Sequence, residues 1–157
     1  LPYPGGPKLD KLAKVGSPTY KLPIPLNDDS YNFSFSGLKS AVINLDHNEE
    51  QKGNEINKAD LAASFQKVAV TSIVSKTKKA LKDYNINNLI VAGVAANSIL
   101  REALTDMCNE NNIHLSIPPL KYCTDNAAMI AAAGYYAYKL GRRADYNLNS
   151  LSTTTLE

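Results

Sequence analysis

Asn88-Leu89-Ile90-Val91-Ala92-Gly93-Val94-Ala95-Ala96-Asn97 decides the fold. Asn88 to Ala92 is an apolar run too short for a core helix, and it fits a buried parallel strand. The small residues Gly93 to Ala96 then form a loop, and a helix follows over Ser98 to Asn109 with Arg101 in its first turn. Ile113-His114-Leu115-Ser116-Ile117 reads as another strand, ended by Pro118-Pro119. After it comes a helix from Asn126 to Leu140, with Gly141 as its stop. Strand, helix, strand, helix predicts an α/β chain with a parallel sheet, whose ligand sites lie at the carboxyl ends of the strands. Gly93, Asn97 and Asp125 all map to that rim.

Upstream, Leu61, Phe65, Val68, Ala69, Ile73, Thr77, Ala80 and Leu81 recur at helical spacing, which predicts one long core helix over Lys58 to Tyr84. Lys8 to Val15 reads as a short helix after a Pro/Gly turn, and residues 17–30 as extended loop. Asn32-Phe33-Ser34-Phe35-Ser36 alternates polar and apolar residues, predicting a strand with Phe33 and Phe35 on its buried face. Gly37 to Val42 begins a second helix or turn, and Asp46 to Asn57 reads as a surface loop.

Composition bounds the remainder. With 157 residues, 44% hydrophobic and 20% charged, the chain can bury the core of one compact domain. It has no apolar run of the length a membrane span needs, so no membrane is expected as a partner. Cys108 and Cys123 give no disulfide framework, which makes a reducing compartment, the cytoplasm by default, the expected location. A net charge of +2 is too small for nucleic-acid binding by bulk charge. The local group Lys76, Lys78, Lys79 and Lys82 is better explained as complementing a helix C-terminus. Both ends look cut: the chain opens inside a Pro/Gly motif, and residues 146–157 read as a polar tail suited to disorder.

Three loops carry the chemistry. Cys123-Thr124-Asp125-Asn126-Ala127-Ala128-Met129 sets a carboxylate and an amide at the mouth of a helix, where Asp125 either caps the first turn or holds a ligand or metal. In Gly93 to Asn97, small residues let a flat ligand approach the backbone, and Asn97 either hydrogen-bonds it or caps the next helix. Tyr3-Pro4-Gly5-Gly6-Pro7-Lys8-Leu9-Asp10 is either an ordinary turn or a rigid one whose N–H groups meet an anion or hydroxyl, with Asp10 a turn further on.

These stretches, together with Phe33-Ser34-Phe35-Ser36-Gly37-Leu38-Lys39 and Asp60-Leu61-Ala62-Ala63-Ser64-Phe65-Gln66, resemble the second half of the tRNA threonylcarbamoyladenosine transferase family, formerly named glycoprotease. The resemblance runs in order over residues 1–145. It implies the second lobe of the two-lobed, ribonuclease H-like fold shared by actin, Hsp70 and sugar kinases, a mixed sheet with flanking helices and an active site between lobes. It implies transfer of threonylcarbamoyl from threonylcarbamoyl-adenylate to the adenosine beside the anticodon in tRNAs reading codons that start with A. tRNA, the adenylate or ATP, and other subunits of the modification complex are the implied partners. Gly6, Asp10 and Asn97 match ligand-contacting positions, and Asp125 matches a ligand of a metal, iron by family with zinc as the alternative.

Two departures accompany the resemblance. Ala92 stands where the family usually has glycine, adding a methyl near the ligand. His47 and His114 do not form the family's H-x-x-x-H pair, so the first lobe is expected to be absent. Asp125 alone should not hold a transition metal tightly, since such sites take three or more protein ligands. The chain alone is therefore expected to be inactive and to dimerise or aggregate through an exposed cleft face. A nucleotide-binding or scaffold half-domain without catalysis is the alternative. The older metallo-glycoprotease reading has no H-E-x-x-H, Ser-His-Asp or Cys-His constellation behind it.

Overall fold

The computed structural model describes residues 1–150, so the end of the tail expected over residues 146–157 lies outside the described residues. The chain forms two compact units, Leu1–Cys123 and one that begins at Thr124. The first contains α1 (Gly5–Ala13), α2 (Ser36–Gln51), α3 (Lys58–Asp83), β1 (Asn88–Ile90), α4 (Ser98–Glu110) and β2 (His114–Ser116), with short 3₁₀ turns at Gly93–Ala96 and Leu120–Tyr122. The second contains α5 (Ala127–Lys139). No helix among the described residues is long and apolar enough to cross a membrane.

The chain is α/β and helix-rich, with a small parallel sheet. β1 and β2 pair in parallel with Leu89 opposite Leu115. Both leucines pack on the main core, where Val70 and Leu81 of α3 meet Leu100, Leu104, Met107 and Cys108 of α4. Only one strand face is covered by helices: Leu89 is half-buried, whereas Ile90 is 80% exposed. The apolar run at Asn88 to Ala92 is thus buried on one face, not on both.

The long helix begins where its sequence provides a cap. Asn57 Oδ1 accepts the N–H groups of Ala59 and Asp60 at 3.0 and 3.2 Å, satisfying donors that the first turn leaves free. Ala62 and Ala63 on α3 face Ala13 of α1. Small residues at that seam leave room for close approach of the two helices.

Besides the one-face burial of β1 and the division into two units where one compact domain is expected, four expectations differ from the structure. Residues 32–36 form no strand, and Phe33 and Phe35 are 49% and 38% exposed. Period-two alternation only makes a strand where a neighbour offers its N–H and C=O groups, and no strand lies beside this segment among the described residues. The mixed sheet is, for the same reason, a two-stranded parallel one there. α2 runs on through Gln51 into the stretch read as a surface loop, because its polar residues are compatible with an exposed helix. α1 starts at Gly5, so the Pro/Gly run is its first turn and not a separate turn before it. Pro7 sits early enough in α1 that its missing N–H costs no intrahelical bond.

The connection after α1 is fastened to α3. Ser17 N–H donates to Asp60 Oδ1 at 2.8 Å, Tyr20 N–H to Ser64 Oγ at 3.0 Å, and Asn57 N–H to Tyr20 Oη at 3.1 Å. Lys76 is buried and donates to Asp28 Oδ1 at 2.8 Å and to Ser30 O at 2.7 Å. Lys79 pairs with Asp83. The lysine group read as a dipole complement is therefore partly a clasp on residues 28–30.

Gly16 lies at the tightest point of this connection, where an added Cβ would sit 2.1 Å from the carbonyl oxygen of Ala59. That neighbour is backbone and cannot swing aside. Gly16→Ala is expected to destabilise the unit by roughly 1–3 kcal/mol, read as a lowered thermal midpoint by circular dichroism. An unchanged midpoint would mean that the connection does not hold this close approach.

Candidate functional site

Asp10 and Asn97 lie 87 residues apart in sequence and meet in space. Asp10 is on α1, and Asn97 is the N-cap of α4. Asn97 Oδ1 accepts the Leu100 N–H at 2.9 Å, so the capping reading of Asn97 holds. This bond fixes which way the amide points. Its Nδ2 is left to donate, and it reaches Asp10 Oδ1 at 3.3 Å. Capping and site-building are therefore compatible roles for one side chain.

Gln66, from α3, completes the group. Its Nε2 donates to Asp10 Oδ1 at 2.8 Å and to Asn97 Oδ1 at 3.3 Å. Ser98 Oγ donates to the same Asp10 oxygen at 3.4 Å, and Lys14 Nζ pairs with Asp10 Oδ2 at 3.0 Å. Burial pushes the Asp10 carboxyl up, but the Gln66 amide, Lys14 and Ser98 outweigh it and hold the group below the usual carboxylate range. The result is an ionised carboxylate surrounded by donors from three helices.

Gly6 is one turn before Asp10 on α1. A Cβ there would meet nothing within 4 Å, and its φ is not in the left-handed region. Neither packing nor backbone conformation demands glycine at this position. The N–H groups of Gly5 and Gly6 belong to the first turn of α1 and have no intrahelical acceptor.

The loop after β1 shows where glycine is needed. Gly93 has φ +59°, whereas Ala92 is extended at φ −136° and ψ 174°. Any residue adopts the latter, so the methyl of Ala92 adds no backbone strain. Arg101, in the first turns of α4, donates to Pro118 O at 3.0 Å and to Cys123 Sγ at 3.6 Å. It ties the loop after β2 to α4. Both cysteines are free and buried, and burial pushes the Cys108 thiol up.

Asp125 lies in the second unit. The cap of α5 is Asn126, whose Oδ1 accepts the Met129 N–H at 3.0 Å. The capping reading of Asp125 is thereby overturned, and its carboxylate is exposed. Among the described residues, no group of three or more His, Cys, Asp or Glu comes together. His47 lies 3.8 Å from Glu50, on α2, and His114 is on β2.

A cavity of about 850 Å³ lies between α1, α2 and α3, lined by apolar residues including Leu9, Leu12, Phe35, Leu61 and Phe65. None of Gly6, Asp10, Gln66 or Asn97 lines it. The polar group is a separate feature of the unit. Gln66 and Ser98 join the Asp10 group without being singled out as candidate site residues in the sequence. The available signal is Gln66 itself, a polar residue among the apolar positions of α3.

A sequence model of the family described as tRNA N6-adenosine threonylcarbamoyltransferase matches residues 1–132. The protein of that name from Staphylococcus saprophyticus is 55% identical over 159 aligned positions, covering 100% of this chain and 46% of its own length. The Staphylococcus haemolyticus protein of the same name is 54% identical, with 100% and 46% covered. That of Staphylococcus aureus (strain bovine RF122) is 53% identical, with 100% and 47% covered. The chain spans about half the length of these relatives. The matches give the family and the extent, and do not carry its placement as the family's second half.

The Asp10 group has a definite pH signature. Because the folded carboxyl titrates below its ordinary value of 3.8, its contribution is complete above that value and disappears as pH falls through the lower, folded one. Asp10→Asn should therefore lower stability by about 1 kcal/mol near neutrality. Urea midpoints of the two proteins should converge on acidification below the ordinary carboxylate range. A gap that persists there would assign the loss to something other than the carboxylate's charge.

Proposed function

This chain belongs to the tRNA N6-adenosine threonylcarbamoyltransferase family, and from that premise we propose that it is part of an enzyme that moves a threonylcarbamoyl group from threonylcarbamoyl-adenylate to an adenosine of tRNA. The acceptor is the exocyclic amine of the base beside the anticodon in tRNAs reading codons that start with A. The amine nitrogen bonds to the carbamoyl carbon and loses one proton, while the bond from that carbon to the adenylate's phosphate oxygen breaks. AMP leaves with the electron pair.

The contact of Asp10 with Asn97 carries the reading for this chain's own residues. A carboxylate kept ionised is an acceptor only, so it suits the hydroxyls of a ribose and repels a phosphate. Asn97 adds an amide donor beside it. Gly6 leaves the start of α1 open, where N–H groups and the positive helix end favour an anionic or carbonyl oxygen of the same ligand. Gly6, Asp10 and Asn97 are thus read as one wall of an adenylate site.

Asp125 is proposed as a metal ligand, with iron the family's metal and zinc the alternative. The fit rests on Asn126 taking the cap, which leaves Asp125 a hard, exposed carboxylate at the mouth of α5. When bound, the metal would polarise a ligand oxygen as a Lewis acid. A transition-metal site takes three or more protein ligands, and Asp125 supplies one. The remaining ligands, and the facing wall of the site, are assigned to the other lobe of the two-lobed fold of actin and Hsp70, beyond this chain. The chain alone is accordingly read as inactive and its full-length protein as cytoplasmic, working with tRNA and the other subunits of the modification complex.

The decisive substitution is Gly6→Ala in the full-length protein. Alanine stabilises a helix relative to glycine by about 0.5–1 kcal/mol, and nothing here opposes its methyl. Thermal stability should stay level or rise, while ATP affinity measured by calorimetry should fall several-fold. Loss of affinity together with loss of stability would assign Gly6 to the fold; unchanged affinity would remove it from the site. Asp125→Ala should leave ATP binding in place and reduce bound iron, measured by elemental analysis.

A further inference from the structure

We propose that Gln66 is the positioning residue of this site: its amide, bound at once to Asp10 and Asn97, sets which atoms of those two residues face a ligand. The inference deepens the adenylate-site reading and rests on it.

The polarity of the cluster is forced step by step. The α4 cap commits Asn97 Oδ1 as an acceptor and so presents Nδ2 to Asp10. Asp10 offers only lone pairs. Both neighbours therefore ask Gln66 for donors, and its Nε2 serves both. Its Oε1 is left with no hydrogen-bond partner among the described residues, although Gln66 is only 4% exposed.

That orphaned acceptor argues against a packing role. A buried polar group without a partner is unfavourable, and methionine would fill the same length of α3 without it. What methionine would not provide is the pair of N–H donors. The donors are what distinguishes glutamine here, and they are spent on Asp10 and Asn97. The charged group facing Asp10 is Lys14 at the C-cap of its own helix; α3 contributes Gln66 and α4 contributes Asn97 and Ser98, none of which titrates.

The test uses the full-length protein with Gln66→Met and Gln66→Glu, and ATP as the probe. Gln66→Met should fold with undiminished thermal stability and lose about tenfold in ATP affinity. The pH below which binding fails should move up, because burial then acts on Asp10 with less opposition. Gln66→Glu should bind poorly near neutrality, where two carboxylates face each other. It should regain affinity on mild acidification, when the introduced carboxyl is protonated and can donate. A merely structural glutamine would show neither pH response.

Two folded variants with wild-type affinity and pH profile would overturn the proposal. Should the wild-type protein fail to bind ATP, the adenylate reading fails, and the Asp10 carboxyl titration by NMR still decides the role of Gln66. A titration moved upward in Gln66→Met supports the positioning role; an unmoved one overturns it.

Discussion

A carboxylate drawn between helices has to be met by donors, and Asp10 is met from three of them. Lys14 comes from the C-cap of Asp10's own helix, Gln66 from α3, and Asn97 and Ser98 from the start of α4. This convergence joins the segment at the beginning of the chain to one nearly ninety positions later. The alanine seam between α1 and α3 permits it, because larger residues there would hold Asp10 away from Gln66. The site is thus a consequence of how closely two helices pack, and the parallel strand pair matters to it by presenting Asn97 beyond the end of β1.

The parts legible in the sequence are those where one physical signal dominates. α3 announces itself by its apolar period; β1 and β2 by short apolar runs between helices; α5 by Gly141, whose φ of +73° matches its role as a stop. Residues 32–36 mislead because alternation describes a face without saying whether a partner strand exists. α2 is hidden beyond Val42 because a solvated helix and a solvated loop share a composition. Gln66 carries only a faint signal, a polar residue among apolar positions, because its importance lies in what stands opposite it, which periodicity does not record.

Two residues illustrate how capping and ligand-binding readings separate only in three dimensions. Asn97 is open to both, and it does the one in a way that prepares the other: the cap bond orients the amide that then faces Asp10. Asp125 is open to both as well, but its neighbour Asn126 accepts the first-turn N–H instead. Sequence does not choose between adjacent Asp and Asn, since each is a good cap. Nor does it choose between Ala92 and Gly93 as the position where glycine matters, because only the latter adopts a positive φ.

Three buried polar residues on α3, Ser64, Gln66 and Lys76, fall into two kinds. Ser64 accepts from the Tyr20 N–H and donates to the Asp60 carbonyl. Lys76 has three donors, which go to Asp28 Oδ1, the Asp28 carbonyl and the Ser30 carbonyl. Both sets close on themselves, as expected of groups whose purpose is to hold a connection against a helix. The set around Asp10 does not close. Three side-chain donors crowd Asp10 Oδ1 while the Gln66 acceptor has none. A protein selected for stability alone would relieve that imbalance with an apolar residue at position 66. The placing of Gln66 between two residues that the family reading sets at a ligand is the reason the proposal rests on this cluster and not on the apolar cavity beside α2.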